Sequence, residues 1–222
     1  MTQRPLRVAA IHDLSGFGRS SLSVILPVLS VMGVQVCPVP TAVLSTHTGG
    51  FGDPVLRDLT DYMGPALEHY RHLGIQMECV YTGYLGSAEQ TRHCRDFFDA
   101  YPDALIVVDP VMGDHGKLYR SFTGEMVEGL RGLVQRAEVI TPNVTEAFLL
   151  LDEVHTSGPI STSAARSLLA RLGAMGPGRV VITGVTLATG EYCNLCYDRE
   201  HNSYWKSVSD YLPVAYPGTG DI

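Results

Sequence analysis

Short apolar runs alternate with stretches of helical spacing along most of this chain. Leu6–Ile11 is β-rich, and Arg19–Met32 has a helical period that stops at Gly33. Val34–Val39 predicts a second strand. Asp53–Leu73 has the spacing of a helix, interrupted near Gly64-Pro65, where proline removes a backbone donor. Cys79–Thr82 predicts a strand and Ser87–Ala100 a helix, its Ser cap followed closely by Glu89 and Gln90. Ala104–Asp109 contains Leu-Ile-Val-Val in a row, the pattern of a strand buried on both faces and central in its sheet. Helical spacing returns at Thr123–Arg136, Val144–Leu151 and Ser161–Leu172, separated by short strands at Glu138–Ile140 and Arg179–Thr183.

After Thr183 the pattern changes. Glu191–Tyr197 and Asn202–Val208 read as an antiparallel hairpin turned at Asp198–His201. Repeated βαβ units with short loops predict an α/β fold: a three-layer α/β/α sandwich with a mainly parallel, doubly wound sheet and antiparallel edge strands. No internal repeat, low-complexity segment or linker breaks the pattern, so residues 1–222 are expected to form one domain.

Composition narrows the function. Hydrophobic residues make up 45% and charged residues 18%, the balance of an ordinary globular protein. The net charge of −7, without a Lys/Arg run, argues against nucleic acid as a partner. No apolar run approaches bilayer-spanning length and Met1–Arg7 is too short and polar for a signal peptide, so no membrane partner and a cytoplasmic location are expected. The cysteines, Cys37, Cys79, Cys94, Cys193 and Cys196, are odd in number and scattered, unlike a disulfide framework. Cys193 and Cys196 have CxxC spacing without a second pair, and a chance occurrence in a strand explains it better than zinc.

In parallel α/β folds ligands sit outside the carboxyl ends of the strands. Those positions are chemically loaded here: His12-Asp13, Thr82-Gly83-Tyr84, Asp109-Pro110, Thr141-Pro142-Asn143 and Thr183-Gly184. Gly16-Phe17-Gly18-Arg19-Ser20 resembles the start of a dinucleotide fingerprint, but Ser21 stands where its third glycine belongs. A glycine turn that lets a helix approach a ligand is the better reading. No GxxxxGK[ST] occurs, which excludes P-loop chemistry. Asp109 and Asp114 place two carboxylates in one strand-end loop, and Glu146 adds a third on the first turn of the next helix. Asn143 and Glu146 also have the spacing of a capping box, so a purely structural role stays open. Acids recurring at one end of neighbouring strands suit Mg²⁺, a hard cation that keeps several waters and bridges phosphates. Pro217-Gly218-Thr219-Gly220-Asp221 reads as a turn whose inward N–H groups form an anion hole.

Taken in order, Leu44–Gly49, Thr82–Ser87, Asp109–Asp114, Thr141–Glu146, Ile182–Gly184 and Gly218–Asp221 resemble the ribokinase-like superfamily and, within it, the pyridoxal kinases. The resemblance implies a homodimer that transfers the γ-phosphoryl of ATP to the 5′-hydroxymethyl group of a B6 vitamer. It implies that Asp221 is the base and that Gly218, Thr219 and Gly220 stabilise the transferred charge. Asp13, Ser15, Thr48 and Tyr84 would line the B6 pocket. Asp109, Asn143, Thr183 and Gly184 would follow the ATP phosphates. Asp114, Thr141 and Glu146 would organise Mg²⁺, partly through water. Two departures stand out. The position of Asp13 is often Ser in this family, which bears on the preferred vitamer. Family members also continue past Ile222 with a helix and segments over the adenine, so the resemblance implies a kinase domain truncated at its C-terminus. Hydroxymethylpyrimidine kinase of the same superfamily is the nearest rival, although it usually carries Cys at the position of Asp221. A sugar kinase fits less well, and an inactive ligand-binding fragment is the alternative from another class.

Overall fold

A computed structural model describes residues 4–47, 51–155 and 157–211. The described residues divide into two compact units, the first up to Ile106 and the second from Val107. The strands are mostly parallel, with antiparallel ones at the edges, the architecture of a ribokinase-like α/β fold.

The first unit is built on β1 (Arg7–Phe17), which pairs in parallel with β2 (Gln35–Thr46) on one side and β4 (Cys79–Thr82) on the other. Residues 8–13 of β1 are buried without a break, because the strand is covered on both faces. Strand β3 (Leu56–Asp58) adds antiparallel to β2. Helix α1 (Leu22–Val31) packs Leu22, Val24 and Ile25 inward, with Ala10 of β1 in the same cluster. Helix α2 (Thr60–His72) buries Met63, Ala66 and Leu67, and α3 (Ala88–Ala100) buries Cys94, Phe97 and Phe98.

Leu56–Asp58 lies inside the expected helix Asp53–Leu73 but forms β3, paired with β2, and α2 begins only at Thr60. Two further expectations are corrected in this unit. First, β1 and β2 run well past Ile11 and Val39, so His12 and Asp13 lie inside a strand rather than after it. The pairing continues through an irregularity: His12 faces Pro40 and Leu14 faces Val43, so β2 inserts one extra residue opposite Asp13. Second, Pro65 does not interrupt its helix. Alpha-helix α2 runs through it, as α1 runs through Pro27. Each proline forfeits one backbone hydrogen bond, and the buried residues around it hold the helix together.

Strand β5 (Leu105–Val108) buries Ile106 and Val108, but Leu105 is exposed, so the run is not buried on both faces along its whole length as expected. The order continues as β5, β8 (Val139–Ile140), β9 (Arg179–Thr186), β10 (Tyr192–Asp198) and β11 (Ser203–Ser209). The first two pairings are parallel and the last two antiparallel, as the expected hairpin requires. A small hairpin, β6 (Gly113–Asp114) with β7 (Lys117–Leu118), was not expected. Helix α4 (Gly124–Val134) buries Met126, Leu130 and Leu133; α5 (Val144–Leu150) buries Ala147 and Leu150; α6 (Thr162–Ala174) buries Leu168, Leu169 and Leu172. Ser87, Thr123, Asn143 and Ser161 cap their helices, each side chain accepting a backbone N–H of the first turn.

Candidate active site

The sequence-predicted residues fall into a cluster in each unit. In the first, Asp13 is 6% exposed and its carboxylate is held by side chains from both ends of the β1–α1 segment. The Ser15 hydroxyl donates to Asp13 Oδ2 at 3.0 Å, and the Ser21 hydroxyl donates to Oδ1 at 2.6 Å. His12 Nδ1 lies 2.9 Å from the same Oδ1. Burial by itself would raise the Asp13 pKa, but the bond and charge of His12 and the two hydroxyl donors outweigh it and hold the carboxyl below its ordinary value. An ionised carboxylate offers about four acceptor positions.

Neighbouring strands shape the same cluster. Gly83 donates its N–H to Ile11 O at 2.9 Å, and a Cβ added to Gly83 would overlap the His12 ring. Only glycine therefore lets β4 end against that imidazole. The Tyr84 carbonyl accepts from the Thr41 hydroxyl at 3.0 Å, Thr41 being one of the residues where β2 is irregular. The wholly buried Gln90 side chain then ties this region together, accepting from Gly86 N–H at 2.7 Å and donating to Thr41 O at 2.9 Å. Gly18 has φ +107°, and the His47 ring occupies the space a side chain would need, which explains the glycine turn expected here.

In the second unit, Asn143 and Glu146 do form the capping box that their spacing allowed. Glu146 is 3% exposed. One of its oxygens accepts Asn143 N–H at 2.8 Å and the other accepts Met112 N–H at 3.2 Å. Burial pushes its pKa well up, the Asp109 charge adds to this, and the backbone N–H groups of Asn143, Met112 and Gly113 oppose it. The Asn143 amide donates to Gly113 O at 2.9 Å, and the Thr145 hydroxyl accepts Gly116 N–H at 2.9 Å. Helix α5 therefore holds the β6–β7 hairpin, whose turn residues His115 and Gly116 both have positive φ, as a tight two-residue turn requires.

Thr183 and Gly184 were expected after a strand end, but lie within β9. Ile182 faces Leu195 and Val185 faces Cys193, so the two residues bulge opposite Asn194. Gly184 has φ +65° and donates its N–H to Asn194 Oδ1 at 3.1 Å. The bulge sets Thr183 beside Asn143, to which it is bridged in parallel. Asn143 and Thr183 thus lie side by side, with Gly184 next in the chain.

Asp114, Thr141 and Glu146 are not drawn into one cage. Asp114 turns back to accept His115 N–H at 2.7 Å, and the Thr141 N–H is spent on Val108 O at 3.1 Å. Among the described residues no three His, Cys, Asp or Glu side chains come together to hold a metal. The pair that remains, Asp109 and Glu146, suits a cation whose other ligands are water and phosphate. Thr48, Gly218, Thr219, Gly220 and Asp221 lie outside the described residues. Sequence reasoning missed Ser21, Thr41, Gln90 and Thr145 as organisers. Ser21 alone carried a signal, standing in a glycine position. Among the described residues no helix is long and apolar enough to cross a membrane.

With this geometry established, comparison with known proteins adds the following. The family model described as phosphomethylpyrimidine kinase matches residues 29–222. A pyridoxal kinase from Arabidopsis thaliana is 30% identical over 228 residues, covering 95% of this chain and 69% of the plant protein. A Bacteroides thetaiotaomicron protein assigned as a phosphomethylpyrimidine kinase is 46% identical, with a TM-score of 0.93 over 100% of this chain and 76% of its own. Its orthorhombic crystal form contains pyridoxal. Pyridoxal kinase from Leishmania donovani, solved with ADP and pyridoxamine, is 27% identical with a TM-score of 0.83, covering 97% of this chain and 78% of its own.

Proposed function

The chain belongs to the phosphomethylpyrimidine kinase family of ribokinase-like enzymes, among its pyridoxal kinases, and from that premise we propose that it moves the γ-phosphoryl of ATP onto the 5′-hydroxymethyl group of a B6 vitamer. The observation that carries this reading is the buried Glu146 carboxylate. It is held between Asn143 and Met112 and faces the charge of Asp109, a repulsion that a hydrated divalent cation relieves. The ligands of the relatives support it, pyridoxal in one and ADP with pyridoxamine in another.

Phosphoryl transfer needs positioning and charge neutralisation more than covalent chemistry. In the proposed reaction the vitamer hydroxymethyl oxygen attacks the γ-phosphorus in line and the β–γ bridging oxygen leaves with ADP. Asp221 takes the hydroxyl proton, and the N–H groups of Gly218, Thr219 and Gly220 face the transferred charge. Asn143, Thr183 and Gly184 line the phosphates, with Asp109 beside them. Mg²⁺ bound near Asp109 and Glu146, with Asp114 and Thr141 reached through water, would neutralise phosphate charge. Asp13 accepts from the protonated ring nitrogen of the vitamer, with Ser15 steadying its carboxylate, and Thr48 and Tyr84 complete the pocket. We assign a homodimer as well. Strand β3 ends its side of the sheet and Val43, Val55 and Leu56 are exposed beside it, an apolar edge that a second copy would cover.

A coupled ADP-release assay with pyridoxal, pyridoxamine, pyridoxine and hydroxymethylpyrimidine tests the proposal. Turnover confined to the B6 vitamers supports it, and turnover confined to hydroxymethylpyrimidine overturns it in favour of the related kinase.

A further inference from the structure

Ser21 adopts φ 58° and ψ −134°, a conformation that L side chains avoid and glycine takes freely. It occupies the N-cap position of α1, yet its hydroxyl makes no capping hydrogen bond there. That hydroxyl instead reaches back eight residues and donates to Asp13 Oδ1 at 2.6 Å. A glycine would fit this backbone better and would also serve at an N-cap. The serine hydroxyl is thus used at Asp13.

We propose that Ser21 is a positioning residue for vitamer recognition, holding the Asp13 carboxylate in place from the strained start of α1. The inference rests on the proposed role of Asp13 in the vitamer pocket. Ser15 holds the other oxygen from within β1, so the two hydroxyls clamp the carboxylate from two elements joined by Gly18–Ser20. Asp13 is 6% exposed and cannot take replacement bonds from bulk water when a donor is lost. Losing the Ser21 hydroxyl frees the carboxylate to rotate away from the ligand.

The test compares Ser21→Gly with Ser21→Ala. Glycine removes the hydroxyl and relieves the backbone; alanine removes the hydroxyl and keeps the strain. Both should raise the KM for pyridoxal by about tenfold, the worth of one charge-assisted hydrogen bond, while KM for MgATP stays unchanged. Both variants lose the buried hydrogen bond, so the melting temperature should fall in each, and less in Ser21→Gly, where the backbone strain is relieved, than in Ser21→Ala. A purely structural serine predicts a wild-type KM in the glycine variant, and that result overturns the proposal. So would collapse of the Ser21→Gly fold, since glycine is the residue this backbone favours. A ¹³C titration of the Asp13 carboxyl carbon reads the bond without substrate: its midpoint should move to higher pH in both variants, and an unmoved midpoint also overturns the proposal. If the wild type phosphorylates no vitamer, the functional reading falls by itself, and the carbon titration still judges the Ser21–Asp13 link.

Discussion

Glu146 joins two segments that lie 34 residues apart: Met112 N–H donates to its Oε1 at 3.2 Å while its Oε2 accepts Asn143 N–H at 2.8 Å. One carboxylate thus closes the capping box of α5 and clasps the loop that follows β5. Both oxygens of Glu146 are therefore held by backbone N–H groups.

Glu146→Gln should separate them. Glutamine keeps one acceptor for the capping box, loses the bond to Met112, and removes a buried like charge near Asp109. The net stability change should stay within about 1 kcal/mol, whereas the Kd for MgATP should rise by about tenfold or more, roughly 1.4 kcal/mol. Calorimetric titration beside a denaturation curve measures both. A large stability loss with unchanged nucleotide binding would leave Glu146 as a cap only.

Asp13 should make stability depend on acid pH. Its folded pKa lies below the ordinary carboxylate value because His12, Ser21 and Ser15 outweigh the cost of burial. A depressed carboxylate pKa stabilises the fold above the unfolded value, near about 3.9, and that contribution is lost as pH falls through the folded value. Asp13→Asn should therefore be less stable than wild type at pH 7, with the gap narrowing below about pH 4. Urea midpoints across this range supply the test, and a gap independent of pH would contradict it.

Thr145→Val should loosen the β6–β7 hairpin. The substitution keeps the shape of the side chain but removes the acceptor for Gly116 N–H. A cost of about 1 kcal/mol is expected from one lost hydrogen bond, and amide exchange at Gly116 should quicken while the α6 core amides are unaffected. Exchange followed by NMR decides it; unchanged protection at Gly116 would show that the turn residues alone hold the hairpin.

Asp221→Ala tests the proposed base. Turnover on pyridoxal should fall by roughly 10²–10⁴, the usual worth of a positioned general base, with little change in KM for MgATP. A carboxylate base need only accept the proton as the loose transition state makes the hydroxyl acidic. Steady-state rates corrected for the folded fraction provide the measurement. A loss below about tenfold would remove Asp221 from the catalytic set.

Periodicity and punctuation alone established most of the order of elements here, but not β3 or the β6–β7 hairpin. The Leu105–Val108 run, the Ser87 and Asn143 caps and the late hairpin are local signals, because hydrophobic period, capping and turn chemistry act over a few residues. The residue types at His12-Asp13, Asp109 and Asn143–Glu146 likewise marked the candidate site before any fold was known. What the sequence could not contain was the set of long-range pairings. Strand β1 continues past Ile11 because β2 inserts a residue opposite Asp13, and β9 bulges at Thr183-Gly184 because Asn194 lies across from it. A bulge belongs to two strands, so neither strand reveals it by itself. The work of Ser21, Gln90 and Thr145 was hidden for the same reason: each is an ordinary polar residue until tertiary structure buries it against a partner 8, 49 or 29 positions away. Burial then makes that single partner obligatory, since water no longer competes for the hydrogen bond.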